Sequence, residues 1–237
     1  AADMEAVMEL AKEYELAVVE DAAQALGAKF DGRRVGTIGT LGAYSFYPTK
    51  NLGALGDAGL LVTNDDCLGD LARELRVHGG HQRYYHDHVG GNFRMDALQA
   101  ALLAPKLARL DDYTTCRRHN AAGYLERLLP VAGRHSELLL PNNPGDESHV
   151  WNQFTIRLLG DQRRDDLKRY LSQHGVGSEI YYPLALHQQK CFEDIGGPSL
   201  PISERLAKEV LSLPNYPGLT DSSLDLVTEL VGQFLAN

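Results

Sequence analysis

Lys50 lies between an apolar and aromatic run, Leu41 to Phe46, and the glycine-rich stretch Gly53-Ala54-Leu55-Gly56-Asp57-Ala58-Gly59. Ser45 stands five positions before it. Upstream, Glu20-Asp21-Ala22-Ala23-Gln24 sets an acid and an amide at the end of an earlier apolar run. An amine, a carboxylate and hydroxyl or amide donors are the parts that hold pyridoxal 5′-phosphate (PLP). The amine forms the Schiff base, the carboxylate keeps the ring nitrogen protonated, and the donors take the phosphate.

Each part alone has a plainer explanation. A single aspartate at a strand end is more often a turn or helix-cap residue, and most lysines are solvated surface groups. Against that, the run before Lys50 is apolar and the glycines after it suit close backbone approach. A lysine held beside a buried site can lose its proton and act as nucleophile and then as base. An aspartate at the C-terminal end of a parallel strand stands where open α/β sheets bind their ligands.

Other chemistries are disfavoured. His78, His81, His86 and His88 fit no standard zinc spacing and no cysteine pair supports them, so no metal is expected there. Residues 53–59 lack the Gly-Lys-Ser/Thr of a Walker A loop and are not Gly-x-Gly-x-x-Gly. A net charge of −9 gives no general footprint for nucleic acid. No apolar run reaches membrane-spanning length. Three well-separated cysteines, Cys67, Cys116 and Cys191, suit a reducing cytoplasm better than a disulfide scaffold.

The elements that carry these residues read as alternating helix and strand. An amphipathic helix with Val7, Met8, Leu10 and Ala11 leads into a strand at 16–20, then strands at 41–46 and 60–65 and a helix at 68–78. Gly79 to Gly91 is polar and aromatic and reads as a loop. Residues 95–129 have helical periodicity, which Pro105 should kink or divide. After a Pro-, Gly- and Asn-rich shift at 130–148 come a strand at 150–158, a helix at 161–174, a strand at 178–182, and helices near 203–211 and 221–235. The opening helix-to-strand passage reads as the second half of a βαβ crossover, so an N-terminal part is expected to precede it.

Five segments taken in order resemble the DegT/DnrJ/EryC1/StrS family of PLP-dependent nucleotide-sugar aminotransferases. They are Glu20–Gln24, Gly36-Thr37-Ile38-Gly39, Tyr44–Leu52, Gly56-Asp57-Ala58-Gly59, and Gly91-Asn92-Phe93-Arg94-Met95-Asp96-Ala97-Leu98-Gln99-Ala100-Ala101. Tyr181-Tyr182-Pro183 with His187, and Leu213-Pro214-Asn215-Tyr216-Pro217, extend the match toward the C-terminus.

The resemblance implies an α/β chain of PLP-dependent transferase fold type I (aspartate-aminotransferase-like). Residues 1–108 are then the C-terminal part of the large PLP-binding domain, with a mostly parallel sheet, and 109–237 a smaller C-terminal α/β domain. It implies Lys50 as the Schiff-base lysine, Asp21 on the pyridine nitrogen, Gln24 against the ring, and Ser45 on the phosphate. Asn92 reaches the cofactor phosphate of a neighbouring subunit in a homodimer, with the 79–91 loop at the interface. Tyr181, Tyr182 and His187 lie near the sugar-nucleotide pocket.

The activity implied is conversion of a dTDP- or UDP-linked keto-sugar to an amino-sugar, with L-glutamate as donor. Two alternatives stay open. One is a PLP-dependent sugar dehydratase, in which histidine replaces the lysine; the other is a non-catalytic sensor on the same fold. The chain departs from the family at Ala58, where glycine is frequent, a variant linked with keto-sugar 3-aminotransferases. The family's phosphate turn and ring-stacking side chain fall in the N-terminal portion that the sequence does not include.

Overall fold

Helix α1 (Met4–Glu13) starts at Asp3, whose carboxylate accepts the Ala6 N–H at 3.1 Å, and it buries Met4 and Ala11. It leads into strand β1 (Val19–Asp21). The computed structural model describes residues 1–142 and 148–236, and these divide into two compact units. The first holds residues 1–115 with 148–152, the second 116–142 with 153–236. The division falls between Thr115 and Cys116, inside a helix, where the sequence suggested 108/109. Among the described residues no helix is long and apolar enough to cross a membrane.

In the first unit β1 pairs in parallel with β4 (Leu41–Ser45), and β4 pairs antiparallel with β5 (Gly59–Val62). A parallel pair needs a long crossover, and residues 22–40 supply one that carries a small hairpin of β2 (Lys29–Phe30) and β3 (Arg33–Arg34). The shorter turn-rich return after β4 makes β5 antiparallel. The mostly parallel sheet expected from sequence is thus represented here by one parallel pair. The strand expected to run to residue 65 stops at Val62, because Asp65 instead caps α2 (Asp66–Leu75) by accepting the Leu68 N–H at 3.0 Å.

Helices α3 (Ala97–Leu107) and α4 (Leu110–Ala132) follow. The stretch is divided, as Pro105 suggested it would be, but Pro105 itself lies within α3. The break comes at 108–109, where the Arg109 N–H turns back to the Lys106 carbonyl at 3.0 Å. Ala22, Tyr44, Phe46, Leu52, Ala54 and Leu103 belong to the core that seats the turn after β4.

The second unit has an antiparallel sheet ordered β6 (Leu138–Leu139), β7 (Phe154–Leu158), β8 (Val210–Leu213), packed with α5 (Arg163–Gln173), α6 (Pro201–Glu209) and α7 (Asp221–Ala236). Tyr124 stacks on Phe154 with ring centroids 4.7 Å apart, and both are fully buried. The strand expected from 150 begins only at Phe154, since Trp151 has φ of +46° and cannot continue an extended run. The strand expected at 178–182 is a single bridge between Glu179 and Ser212. The Ile180 N–H is taken by the Glu179 side chain at 2.9 Å, and Pro183 supplies no donor, so no ladder extends. The composition shift at 130–148 lies partly outside the described residues.

Candidate active site

The C-terminal ends of β1 and β4 lie side by side because Asp21 pairs with Ala43 and the Ala22 N–H bonds the Ala43 carbonyl at 2.9 Å. Successive residues of a strand face opposite ways. Glu20 is therefore turned inward, at 6% exposure, while Asp21 is open to solvent. The Asp21 carboxylate accepts the Ala23 N–H at 3.0 Å through one oxygen. Gln24 is exposed in the turn that follows.

Ser45 ends β4, and its Oγ accepts the Tyr47 N–H at 3.2 Å. A hydroxyl that accepts in this way still has its own proton to give. The next turn closes where the Lys50 N–H meets the Tyr47 carbonyl at 2.9 Å. Lys50 is half-buried, and among the described residues its ammonium has no hydrogen-bond or ion-pair partner. The sheet thus brings Asp21, Ser45 and the Lys50 turn to one edge.

The turn is held on three sides. The Asn51 amide donates to the Val150 carbonyl at 3.2 Å, and its own Oδ1 is buried with no partner among the described residues. Lys106 on α3 donates to the Gly53 carbonyl at 2.7 Å. Gln99, also on α3, accepts the Leu55 N–H at 2.9 Å. A side chain at Gly53 would place its Cβ 2.3 Å from the Pro48 carbonyl oxygen, so only glycine lets the chain double back behind the lysine.

Asn92 is exposed and held by separate contacts. It bridges to Val77, and its Oδ1 accepts from Arg94 Nε at 2.8 Å. The 79–91 segment is a loop tied back to the end of α2. Glu74 meets His81 at 2.6 Å and His88 at 3.6 Å, while the Gly79 and Gly91 N–H groups bond the Glu74 and Leu75 carbonyls. Those histidines are thereby occupied with a loop anchor.

In the second unit Tyr181 and Tyr182 are exposed, their rings 5.6 Å apart edge to face. His187, in a 3-10 turn at Leu186–Gln188, sits 3.0 Å from Glu204 Oε1. The same oxygen accepts the Ser199 hydroxyl at 2.9 Å and the Leu200 N–H at 2.8 Å. These bonds, the Leu200 N–H first and His187 next, hold the Glu204 carboxyl below its ordinary range. A cavity of about 360 Å³ opens beside His187, walled by Leu186, Phe192, Ile195 and Leu200. The Leu213–Pro217 motif is strapped to α4: Arg117 donates to the Asn215 carbonyl at 2.6 Å, Asn120 to that of Tyr216 at 2.9 Å, and Tyr124 to that of Pro214 at 2.9 Å.

Sequence reasoning assigned no role to Glu20, Asn51, Lys106 or Glu204. Glu20 and Asn51 lay inside the quoted motifs, so their types were visible, but their partners are 16 or more positions away. Lys106 and Glu204 carried no signal beyond ordinary helix residues.

The donor set suits PLP. A half-buried amine with no partner among the described residues, an open carboxylate and a hydroxyl with its own proton to give share one sheet edge, and that mixture is suited to an anionic, basic heteroaromatic ring.

The chain is similar to known proteins over nearly its whole length. It is 44% identical over 235 residues to a pleiotropic regulatory protein of Geobacillus stearothermophilus, covering 98% of this chain and 62% of that one. It is 42% identical over 234 residues to a UDP-N-acetyl-3-dehydro-alpha-D-glucosamine 3-aminotransferase of Acidithiobacillus ferrooxidans, covering 99% and 61%. The crystal structure of S. venezuelae DesV in complex with a ketimine intermediate superposes with a TM-score of 0.91 at 39% identity, over 100% of this chain and 62% of that one. The chain therefore spans about three fifths of the length of the relatives it matches. With the family model matching residues 1–232, the chain belongs to the DegT/DnrJ/EryC1/StrS aminotransferase family, and its fold is that of these PLP-dependent enzymes.

Proposed function

We propose that this chain forms the lysine-bearing part of a PLP-dependent aminotransferase that converts a nucleotide-linked keto-sugar to an amino-sugar, with L-glutamate as donor. The observation that carries it is the Lys50 turn, fastened by Asn51, Lys106 and Gln99 while its ammonium stays free of any described partner. When bound, the cofactor supplies an electron sink that makes the donor's α-hydrogen acidic.

The chain's own residues do the rest. Lys50 Nζ would hold the cofactor covalently and, once a donor amine had replaced it there, would serve as the base that takes the donor's α-proton and gives it back on the cofactor side. Asp21 would present a negative charge to the ring nitrogen and favour its protonated form. Ser45 would donate a hydrogen bond from its hydroxyl to the phosphate, and Gln24 would contact the ring. Tyr181, Tyr182 and His187 contribute to the sugar-nucleotide site, His187 held in orientation by Glu204.

The test is a product assay in the full-length protein across a small panel of dTDP- and UDP-linked keto-sugars with glutamate. An amino-sugar is the expected product. A deoxy-sugar would point to the dehydratase, although Lys50 occupies the position where that chemistry uses histidine. The regulatory name of the G. stearothermophilus relative favours a second reading, a sensor that binds the same ligands without turnover. Cofactor binding with no product from any sugar would support it.

The active assembly is a homodimer in which Asn92 serves the partner's cofactor. Tyr84, Tyr85, Val89 and Phe93 around Asn92 are all exposed, Val89 fully so, and aromatic residues are enriched at interfaces. Mixing Lys50→Ala with Asn92→Ala subunits, each nearly inactive alone, is expected to restore part of the activity. One site then collects both lesions and the other neither. Proven subunit exchange without recovery would place Asn92 outside the partner's site.

A further inference from the structure

Two family segments, Glu20 and Gly36-Thr37-Ile38-Gly39, have no part in the chemistry described so far, yet the structure joins them. One Glu20 carboxylate oxygen accepts the Gly36 N–H at 2.6 Å, and the other accepts those of Ile38 and Gly39, each at 2.6 Å. Glu20 is thus a buried anion caged by three backbone donors.

The cage is packed too tightly to drift. A Cβ on Gly42 would fall 1.9 Å from the Gly36 oxygen, and one on Gly39 would fall 2.8 Å from the Val18 oxygen. Tyr44 closes one wall, donating to the Val35 carbonyl at 2.6 Å. Burial first, and the Glu20 charge second, push its phenol up, while Arg34 opposes them. Thr40 completes the tie, with its Oγ1 accepting the Val18 N–H at 3.0 Å and its own N–H bonding the Val18 carbonyl at 2.8 Å.

This binds the β1 strand to the segment that leads into β4. Asp21 is the next residue of β1, and Lys50 lies on the turn leaving β4. A one-residue slip between the strands would turn Asp21 to the opposite face.

We propose that Glu20 is a positioning residue of the aminotransferase site: its caged carboxylate fixes the register of β1 against β4, and so fixes the Asp21 carboxylate relative to the Lys50 turn. This rests on the aminotransferase reading. Glutamine at position 20 has one acceptor oxygen for three donors and turns its NH₂ toward N–H groups, so the cage cannot reform. Asp21 then loses its place, the ring nitrogen gives up its proton more readily, and its positive charge no longer holds down the basicity of the lysine nitrogen bound to the cofactor.

The experiment uses the full-length protein loaded with PLP and follows the pH midpoint of the visible absorbance of the lysine-bound cofactor, together with the PLP dissociation constant. In Glu20→Gln the midpoint is expected to rise by about one pH unit, and PLP binding to weaken at least about tenfold. Gly39→Ala, which pushes the turn off Glu20 without altering the acid, should move the midpoint the same way and serves if Glu20→Gln does not fold. Tyr44→Phe deletes a hydrogen bond of the same wall but leaves the cage intact, and should not move it. An unmoved midpoint in both cage variants overturns the positioning role while the aminotransferase reading stands. A wild type that shows no cofactor absorbance overturns that reading and this proposal with it.

Discussion

Replacing Lys50 with alanine in the full-length protein is expected to lower aminotransfer by a factor on the order of 10⁶, the scale seen when a catalytic nucleophile is removed. That corresponds to about 8 kcal/mol of lost transition-state stabilisation. The loss should appear in kcat rather than KM, because the sugar-nucleotide contacts assigned to Tyr181, Tyr182 and His187 do not involve the lysine. Folding should be nearly unaffected. Among the described residues the ammonium makes no hydrogen bond or ion pair, and the turn is held by backbone and by Asn51, Lys106 and Gln99. A circular-dichroism melt that matches wild type beside a lost turnover is the expected pair of results. Activity within about tenfold of wild type would remove Lys50 from the chemistry.

Replacing Asp21 with asparagine isolates charge from shape. Asparagine Oδ1 can keep the Ala23 N–H that Asp21 accepts at 3.0 Å, so the turn after β1 should persist. What disappears is the negative charge proposed to face the ring nitrogen, worth 1–3 pKa units to a partner at close range. The electron sink then operates without a protonated ring, and kcat should fall by about 10² to 10³, the cost of deleting one preorganised electrostatic partner. PLP should still bind and still react with Lys50, so the variant differs from Lys50→Ala in keeping the visible absorbance. Steady-state kinetics and an absorbance spectrum on one preparation separate the two. An unchanged kcat would mean that Asp21 is only a turn residue.

How far the sequence anticipated this structure depended on the range of each interaction. The Lys50 turn was legible because its ingredients are contiguous: an apolar strand, a lysine, then glycines whose need for close approach is met at Gly53. The α1 helix and the loop character of 79–91 were legible for the same reason. Pro105 signalled that the helical stretch would be divided but not where, since the helix ran through it and ended at Leu107. Residues 178–182 misled because an extended, aromatic sequence was denied a ladder by the Glu179 side chain and Pro183. The ties that hold the site were not legible: Glu20 reaches Gly36 to Gly39, Asn51 reaches Val150, and His187 reaches Glu204. Such partners are chosen by the folded path, and no local period announces them.

The proposed bond between Lys50 and the cofactor can be trapped and located. The direct measurement is to load the full-length protein with PLP, reduce it with borohydride so that the lysine bond becomes permanent, digest it, and locate the modified residue by mass spectrometry. The expected result is the phosphopyridoxyl mass on the peptide containing Lys50 and on no other lysine. Modification at a different lysine, with Lys50 unmodified in a protein that has taken up PLP, would contradict it.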